Sequence, residues 1–412
     1  MFRNYLRDPI ANTPINLALT RIALSGYLIW VIGSTDWASF NHYPLTITRS
    51  NPLALQFLFP ELVRSNLALV GWLAIVLLLL FAAGISVKYV AFGASIVVCY
   101  LGITRYYVNA SWSTQMYFAA SILLMFWALY HEQDLLTFDG VKKRASTTTG
   151  NLQKEATSLS PVHRTDPLRY YLVVLGLLYF GSGLAKLLVG GPAWISAINM
   201  GRHAFRPLSP GYSPYLRDLM LQFDTLLLLL AVGTIVLELG FLLAILTDKF
   251  LAWVIVMLLG MHIGIALVMG PIFLYTMVFL MLFFDWERAM AAMGPRSKIR
   301  VVYDNDKTWI RMALACFNDL DVNNSIQWHP RKEDSERSIL PEGVHPNQDI
   351  SLSQDGEQYC GYHAWIKLSS HSRVFLPVAV LFGWGPVASV GQRWYNKFLG
   401  SSAQDIDRSQ TQ

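Results

Sequence analysis

The residues of this sequence best suited to chemistry are ionisable side chains that lie inside long apolar stretches: Arg21, Lys186, Glu238 and His262. In a membrane-spanning helix such groups are costly, so they normally pair with one another or serve a function. Tyr179, Ser182 and Lys186 occupy positions i, i+3 and i+7, on one helix face. A lysine among apolar groups loses the water that stabilises its ammonium form, so its neutral amine becomes available as a base. The alternative is a lysine near a helix end that extends its amine to the membrane surface.

The other three residues are interpreted from their depth in the apolar stretches, at about 1.5 Å of rise per helical residue. Arg21 and Glu238 are expected about 9 and 10 Å above the inner face of the membrane, so we predict a structural ion pair that neutralises both charges. His262 and Lys186 are expected about 18 and 24 Å above that face, in the outer half. His262 is therefore either a hydrogen-bonded core residue or part of a pocket with Lys186.

The composition excludes an entirely soluble protein. Of the 412 residues, 54% are hydrophobic and 14% are charged, whereas soluble domains carry about 25% charged residues. The net charge is +5, but the basic residues concentrate in short loops beside apolar runs, which indicates membrane topology rather than a nucleic-acid partner. Three cysteines allow neither a disulfide framework nor a zinc cluster, so no metal site is predicted.

The elements that must position the candidate residues are membrane-spanning helices, each of which needs about 20 mostly apolar residues. Eight spans are predicted, at 15–34, 66–84, 88–106, 113–130, 169–189, 225–247, 250–269 and 272–285. Basic residues in the loop 131–168 and after the last span favour both termini in the cytoplasm. We therefore expect an integral membrane protein, of the plasma or inner membrane if the host is a bacterium.

Three segments between or beside the spans have compositions of their own. The outer loops 35–65 and 190–224 are predicted to form amphipathic helices at the membrane interface, where a peptide or protein partner could bind. Residues 145–160 are rich in Ser and Thr and are predicted to be a flexible cytoplasmic linker.

The composition changes near residue 299, which indicates a membrane domain at 1–297 and a cytoplasmic α/β domain at 298–412. The second domain is predicted to contain a strand, a helix, a hairpin and a further helix. The apolar stretch 374–386 (VFLPVAVLFGWGP) is too short to span a membrane and is expected to pack on this domain.

Three segments resemble the HTTM domain family, which is the transmembrane domain shared with vitamin K-dependent gamma-carboxylases: LALTRIALSGYLIW, YFGSGLAKLLVGGPAWISAINMGRH and GMHIGIALVMG. In the carboxylases the corresponding lysine deprotonates vitamin K hydroquinone. The resemblance therefore implies that Lys186 is a catalytic base and that His262, which matches a histidine of a later helix, is a second catalytic residue. It also implies a pocket for a lipophilic quinol cofactor that includes Tyr179, Ser182, Trp194 and His203.

The sequence departs from the carboxylases at one position of the implied pocket. Where they carry a histidine after Ser-Trp-Asn-Asn, this chain has Gln115 after Ser111-Trp112-Ser113-Thr114. An amide cannot transfer a proton as an imidazole does, and the large lumenal region of the carboxylases has no counterpart here. Full gamma-glutamyl carboxylation is therefore not expected.

The C-terminal segment resembles the DCC family of thiol-disulfide oxidoreductase-like domains, which have a thioredoxin-type fold. Their signature is a hydrophobic strand, Tyr-Asp, and a Cys-x-x-Cys pair at a helix start. Here the strand and Tyr303-Asp304 are present, but Lys307 and Ile310 stand at the two cysteine positions. Dithiol exchange needs both sulfurs, so the domain is predicted to be redox-inactive, with Cys316 and Cys360 as small buried apolar residues.

Two functions of different classes remain open. The first is a carboxylase-like membrane enzyme that binds a quinol in an outer-half pocket built on Lys186 and His262. The second is a non-catalytic membrane protein that assists peptide or protein maturation or export through its outer loops.

Overall fold

The structure is a computed structural model that describes most of the chain. The described residues are 14–42, 66–109, 114–130, 136–147, 167–205, 214–247, 249–269, 274–281, 286–293, 297–304, 307–321, 323–330, 349–372 and 375–398. They form two compact units. The first carries the apolar helices and is called the membrane unit, and the second carries the β-sheet and is called the C-terminal unit.

The membrane unit is built from helices. They are α1 (Pro14–Gly33), α2 (Leu67–Ala82), α3 (Val87–Asn109), α4 (Thr114–Tyr130), α6 (Pro167–Gly190), α7 (Ala197–Phe205), α8 (Pro214–Met220), α9 (Asp224–Thr247), α10 (Leu251–Met269) and α11 (Leu274–Met281), with α5 described below in the C-terminal unit. Two short 3-10 helices, Ser39–His42 and Gly191–Trp194, follow α1 and α6.

Among the described residues, five helices are long and apolar enough to cross a membrane. They are Ile15–Gly33, Val87–Arg105, Tyr171–Trp194, Asp224–Thr247 and Leu251–Val268. Two further predicted spans correspond to the shorter apolar helices α2 and α4, of 16 and 17 residues. Within the last predicted span the structure describes the eight-residue α11. The predicted class of helical membrane protein is thus supported, and the count of eight spans is not confirmed.

The outward faces of these helices carry large apolar side chains, as expected for contact with lipid. Leu69 and Trp72 on α2 and Leu229 on α9 are more than half exposed. The interior is packed by other residues of the same helices, among them Leu24, Leu78, Phe81, Tyr171 and Phe241. Hydrophobic residues on both faces are typical of a helix with lipid on one side and protein on the other.

Helices also occur in the outer loop 190–224, where α7 and α8 lie. This agrees with the predicted helices, whereas their position at a membrane interface stays a prediction. In the loop 35–65 the structure describes the 3-10 helix Ser39–His42, and residues 43–65 lie outside the described part.

The C-terminal unit contains a four-stranded mixed sheet. Its strands are β1 (Ile299–Tyr303), β2 (Ile326–Pro330), β3 (Ile350–Gln354) and β4 (Glu357–Cys360), in the order β2-β1-β3-β4. Strand β1 pairs in parallel with β2, which it reaches through helix α13 (Thr308–Leu320), and antiparallel with β3. The β3–β4 hairpin is followed by helix α14 (Tyr362–His371). The predicted strand, helix, hairpin and helix are present in that order, but strand β2, between the first helix and the hairpin, was not predicted.

The C-terminal unit also includes helices α5 (Phe138–Thr147) and α12 (Trp286–Met293), so it starts earlier than the expected boundary at 297/298. Helix α5 buries Val141 and Ala145, and Arg144 forms an ion pair of 2.7 Å with Asp319 of α13. Residues 145–147 of the predicted linker therefore end a packed helix, and residues 148–160 lie outside the described part.

The apolar stretch 374–386 packs on the C-terminal unit, as predicted. It forms α15 (Leu376–Gly383), which is followed by α16 (Gly385–Phe398). Helix α15 contacts α14, with a hydrogen bond of 3.0 Å from the Tyr362 hydroxyl to the Phe382 carbonyl, and Phe375 packs on the core of the unit. Most apolar side chains of α15 are nevertheless exposed, with Ala379 the buried one among the described residues of this helix.

Candidate functional site

A cavity of about 2030 Å³ lies among the helices of the membrane unit. Its walls are contributed mainly by α1, α6, α9 and α10, and most of its lining is apolar. The sequence-predicted residues that reach this cavity are Tyr179, Ser182, Lys186, Trp194, His203, Glu238 and His262. An apolar cavity with a few convergent polar groups is the usual form of a binding site for a small molecule.

Lys186 of α6 forms an ion pair with Glu238 of α9 through its Nζ and the carboxylate Oε1. The side chain of Glu238 is 7% exposed and that of Lys186 is 20% exposed. The two helices approach closely because Gly183 has no side chain, and a Cβ on this residue would lie 3.1 Å from the Cβ of Glu238. The second carboxylate oxygen, Oε2, is buried and has no hydrogen-bond partner among the described residues.

This pair replaces the predicted pair of Arg21 with Glu238. Arg21 instead donates hydrogen bonds from Nη1 to the carbonyl oxygens of Phe81, at 2.6 Å, and Ala82, at 2.5 Å. The depth estimate failed because it assumed that every predicted span starts at one membrane surface and ends at the other. Gly183, near the end of α6, lies beside Glu238, in the middle of α9, so the two helices are staggered along their axes.

Tyr179 and His262 form a second polar pair at the cavity. The Tyr179 hydroxyl lies 2.7 Å from His262 Nε2, and either group can donate, depending on the histidine tautomer. The Tyr179 ring also packs edge-on against Phe241, with the ring centroids 5.3 Å apart. His262 is thus hydrogen-bonded, as expected for a core histidine, and it also lines the cavity. Lys186 is close enough for its charge to act on His262.

Trp194 and His203 lie on the same side of the cavity as Lys186. The Lys186 Nζ is 5.0 Å from the centroid of the Trp194 ring, which is within the range of a cation–π interaction. The Trp194 ring is in turn 6.1 Å from that of His203. The chain reverses here because Gly191 adopts φ +58°, a left-handed conformation that other residues rarely adopt.

Gln115 lies in the first turn of α4, and its side chain is outside the described part of the structure. Its predicted role as a pocket residue is therefore left as a prediction.

One polar group of the cavity was not identified from the sequence. Arg105, in α3, donates hydrogen bonds of 3.2 Å from Nη1 to the Thr35 hydroxyl and to the Tyr117 hydroxyl. In the sequence it is an interruption near the end of an apolar run, which by itself does not distinguish a cavity residue from one that reaches the membrane surface.

The two positions at which the DCC resemblance implies cysteines are Lys307 and Ile310, which have no redox chemistry. Lys307 stands directly before α13 and forms an ion pair with Asp349, and Ile310 is fully buried in the core of the unit. Burial, reinforced by the negative charge of Asp319, raises the pKa of Cys316 to about 11, so its thiol stays protonated at neutral pH. Cys360 lies in β4, with its Sγ 3.7 Å from the Ser351 hydroxyl. Cys316 and Cys360 are half-buried rather than buried as predicted.

The chain matches no protein-family model, no curated protein sequence and no solved structure. The similarities to the HTTM and DCC families accordingly rest on the sequence segments quoted above.

Proposed function

We propose that the protein is a carboxylase-like membrane enzyme that binds a lipophilic quinol in the cavity of the membrane unit and uses Lys186 as the base. The observation that carries this proposal is the position of the Lys186–Glu238 pair on the wall of a mostly apolar cavity. Ligand pockets typically have volumes of about 300–1,000 Å³, so a cavity of about 2030 Å³ has room for a quinol ring and part of an isoprenoid chain.

The ion pair gives Lys186 a route to its neutral form. When the lysine proton moves to Glu238, the ammonium and the carboxylate become a neutral amine and a neutral acid, with no change in net charge. The amine then accepts a proton from a quinol hydroxyl, and the resulting ammonium stabilises the negative charge left on the oxygen. The Tyr179–His262 pair is placed to hydrogen-bond a second oxygen of the ligand. Carboxylation of glutamate is not part of the proposal, because Gln115 cannot replace a proton-transferring histidine.

For the C-terminal unit we infer a degenerate thioredoxin-type module without dithiol activity. Its parallel β1-α13-β2 connection, followed by an antiparallel hairpin and a helix, supports this assignment. The Lys307–Asp349 ion pair occupies the place of the first cysteine of the DCC signature. Reduction of a disulfide substrate by the purified full-length protein would contradict the inference.

The quinol proposal is tested with the detergent-purified full chain and a reduced naphthoquinone with an isoprenoid tail. Oxygen uptake and epoxide formation are followed for the wild type, for Lys186→Ala and for the control Lys88→Ala, which removes an exposed lysine of α3 outside the cavity. We expect turnover in the wild type and the control and none in Lys186→Ala, at equal melting temperatures.

Two results would overturn the proposal: no turnover in folded wild type, or undiminished turnover in Lys186→Ala. The first would favour the non-catalytic function in peptide or protein maturation, with the outer helices α7 and α8 as the next target for substitution.

A further inference from the structure

A second polar cluster lines the cavity and is centred on Arg105. Its guanidinium is held by two hydroxyl groups, those of Thr35 and Tyr117, each 3.2 Å from Nη1. The guanidinium carbon also lies 5.8 Å from the centroid of the Tyr117 ring. The contacts come from α4 and from the turn after α1, so two neighbouring segments of the membrane unit hold a guanidinium that α3 carries.

The charge of Arg105 has no acidic partner among the described residues. Both of its hydrogen-bond acceptors are neutral oxygens, and both bonds come from Nη1. Its Nε is buried and has no hydrogen-bond partner in the described part of the chain. Arg105 is half-buried, and a charge that is partly removed from water without a counter-charge is costly. A guanidinium can bind two oxygens of a carboxylate or phosphate side by side.

Asp36 directly follows Thr35 in the sequence, and its carboxylate also belongs to the lining of the cavity. Its Oδ1 accepts hydrogen bonds from the backbone amides of Ala38, at 3.2 Å, and Ser39, at 3.3 Å. Asp36 therefore stabilises the turn that leads into the 3-10 helix, and the residue is exposed.

We propose that Arg105 binds the oxyanion of an amphiphile, a phosphate monoester or carboxylate headgroup, whose hydrocarbon chain occupies the apolar part of the cavity. The apolar lining supplies the site for the chain, and the Arg105 guanidinium, which lines the same cavity and bonds only neutral oxygens among the described residues, supplies the donors for the anion. The inference goes beyond the quinol proposal, because it concerns other residues and stands whether or not Lys186 supports turnover.

The experiment compares three probes on the full chain in a neutral detergent: oleoyl lysophosphatidic acid, oleoyl lysophosphatidylcholine and inorganic phosphate. The first two have the same chain and differ in the accessible phosphate monoester. Binding is measured by native mass spectrometry and by the shift in melting temperature. We expect the wild type to bind lysophosphatidic acid about tenfold or more tightly than lysophosphatidylcholine, because a bidentate charged contact is lost in the second.

The variants are Arg105→Gln and Arg105→Lys, with Lys88→Gln as the control. The preference should vanish in Arg105→Gln, fall in Arg105→Lys and persist in the control. Equal binding of the two lysolipids by the wild type would overturn the proposal, and that comparison decides the matter even if Arg105→Gln does not fold. A preference that survives in folded Arg105→Gln would overturn it as well. Inorganic phosphate binding as tightly as lysophosphatidic acid would refute the amphiphile and indicate a site for free anions.

Discussion

The buried pair of Lys186 and Glu238 predicts a strong energetic coupling between two helices of the membrane unit. The perturbation is a double-mutant cycle with Lys186→Met, Glu238→Leu and the combination of both. Each single change leaves one charge in apolar surroundings without its counter-charge, whereas the double change removes both charges and keeps side chains of similar volume. The single variants should therefore be much less stable than the double variant.

The expected magnitude follows from the burial of the two side chains. Breaking a buried ion pair by removing one partner costs about 3–5 kcal/mol. Because the Lys186 side chain is one-fifth exposed, we place each single change near the lower limit, at about 3 kcal/mol. Replacement of the whole pair by apolar groups is close to neutral in comparable cases. The coupling energy, which is the effect of the double change minus the sum of the two single changes, should then have a magnitude of about 6 kcal/mol.

Unfolding free energies are measured in mixed micelles with increasing SDS, for the four members of the cycle. The matched control is the ion pair of Arg217 with Asp218, in which the Asp218 side chain is 60% exposed. Exposed pairs contribute about 0–1 kcal/mol, so the control cycle should give a coupling well below that of the buried pair. Additive effects of Lys186→Met and Glu238→Leu, or a coupling equal to that of the control, would refute the assignment of a buried pair.

Three further predictions concern packing and titration. Gly102→Ala should destabilise the protein by about 1–3 kcal/mol, because the new Cβ would lie 2.6 Å from the Cβ of Tyr117. In the control Gly233→Ala the new Cβ has no neighbour within 4 Å, so this variant should be neutral or stabilised. Equal melting temperatures of the two variants would contradict the prediction. Iodoacetamide should alkylate Cys316 at pH 8 about a hundredfold more slowly in the folded protein than in the unfolded chain, because the pKa of its thiol is raised to about 11. The rate is followed by peptide mass spectrometry. Similar rates in the two states would contradict the raised pKa. Burial raises the pKa of Asp319 from 3.8 to about 6, so its stabilising contribution is present at low pH and is lost as the pH rises through 6. The contribution of Asp319 to the unfolding free energy amounts to about 3 kcal/mol at most. The melting temperature of Asp319→Asn should lack this dependence on pH. A melting temperature that varies with pH as in the wild type would disprove the prediction.

The helix face that carries Tyr179, Ser182 and Lys186 could be predicted from spacing alone, because a helix places positions i, i+3 and i+7 on one side. The ion-pair partner of Lys186, Glu238, could not be predicted in this way. Depth along a helix can be counted from its first residue, but the relative stagger of two helices depends on packing, here on the contact between Gly183 and Glu238. Trp194 is a similar case, since its return toward Lys186 depends on the backbone conformation of Gly191.

In the C-terminal unit, strand β1, helix α13, the β3–β4 hairpin and helix α14 were predictable from the hydrophobic pattern, because strands and helices there have distinct periods. The short strand β2 was missed. The inclusion of helix α5 in this unit could not be predicted either. Its burial involves Val141 and Ala145, two small apolar residues in an otherwise polar segment that reads as a loop. The contacts of α5 come from residues far along the chain, as the ion pair of Arg144 with Asp319 shows. Contacts of that kind leave little local signal.

The hydrogen bonds from Arg21 to the end of α2 bear on how the chain enters its membrane. An arginine in the middle of a spanning helix opposes insertion by about 2.5–3.5 kcal/mol. The carbonyl oxygens that receive its guanidinium, those of Phe81 and Ala82, are synthesised 60 and 61 residues later. The Arg21 guanidinium can therefore form these two hydrogen bonds only after α2 has been synthesised. The carbonyl oxygens at the end of α2 gain the same bonds only when α1 lies beside them. These two hydrogen bonds therefore couple the insertion of α1 to that of α2.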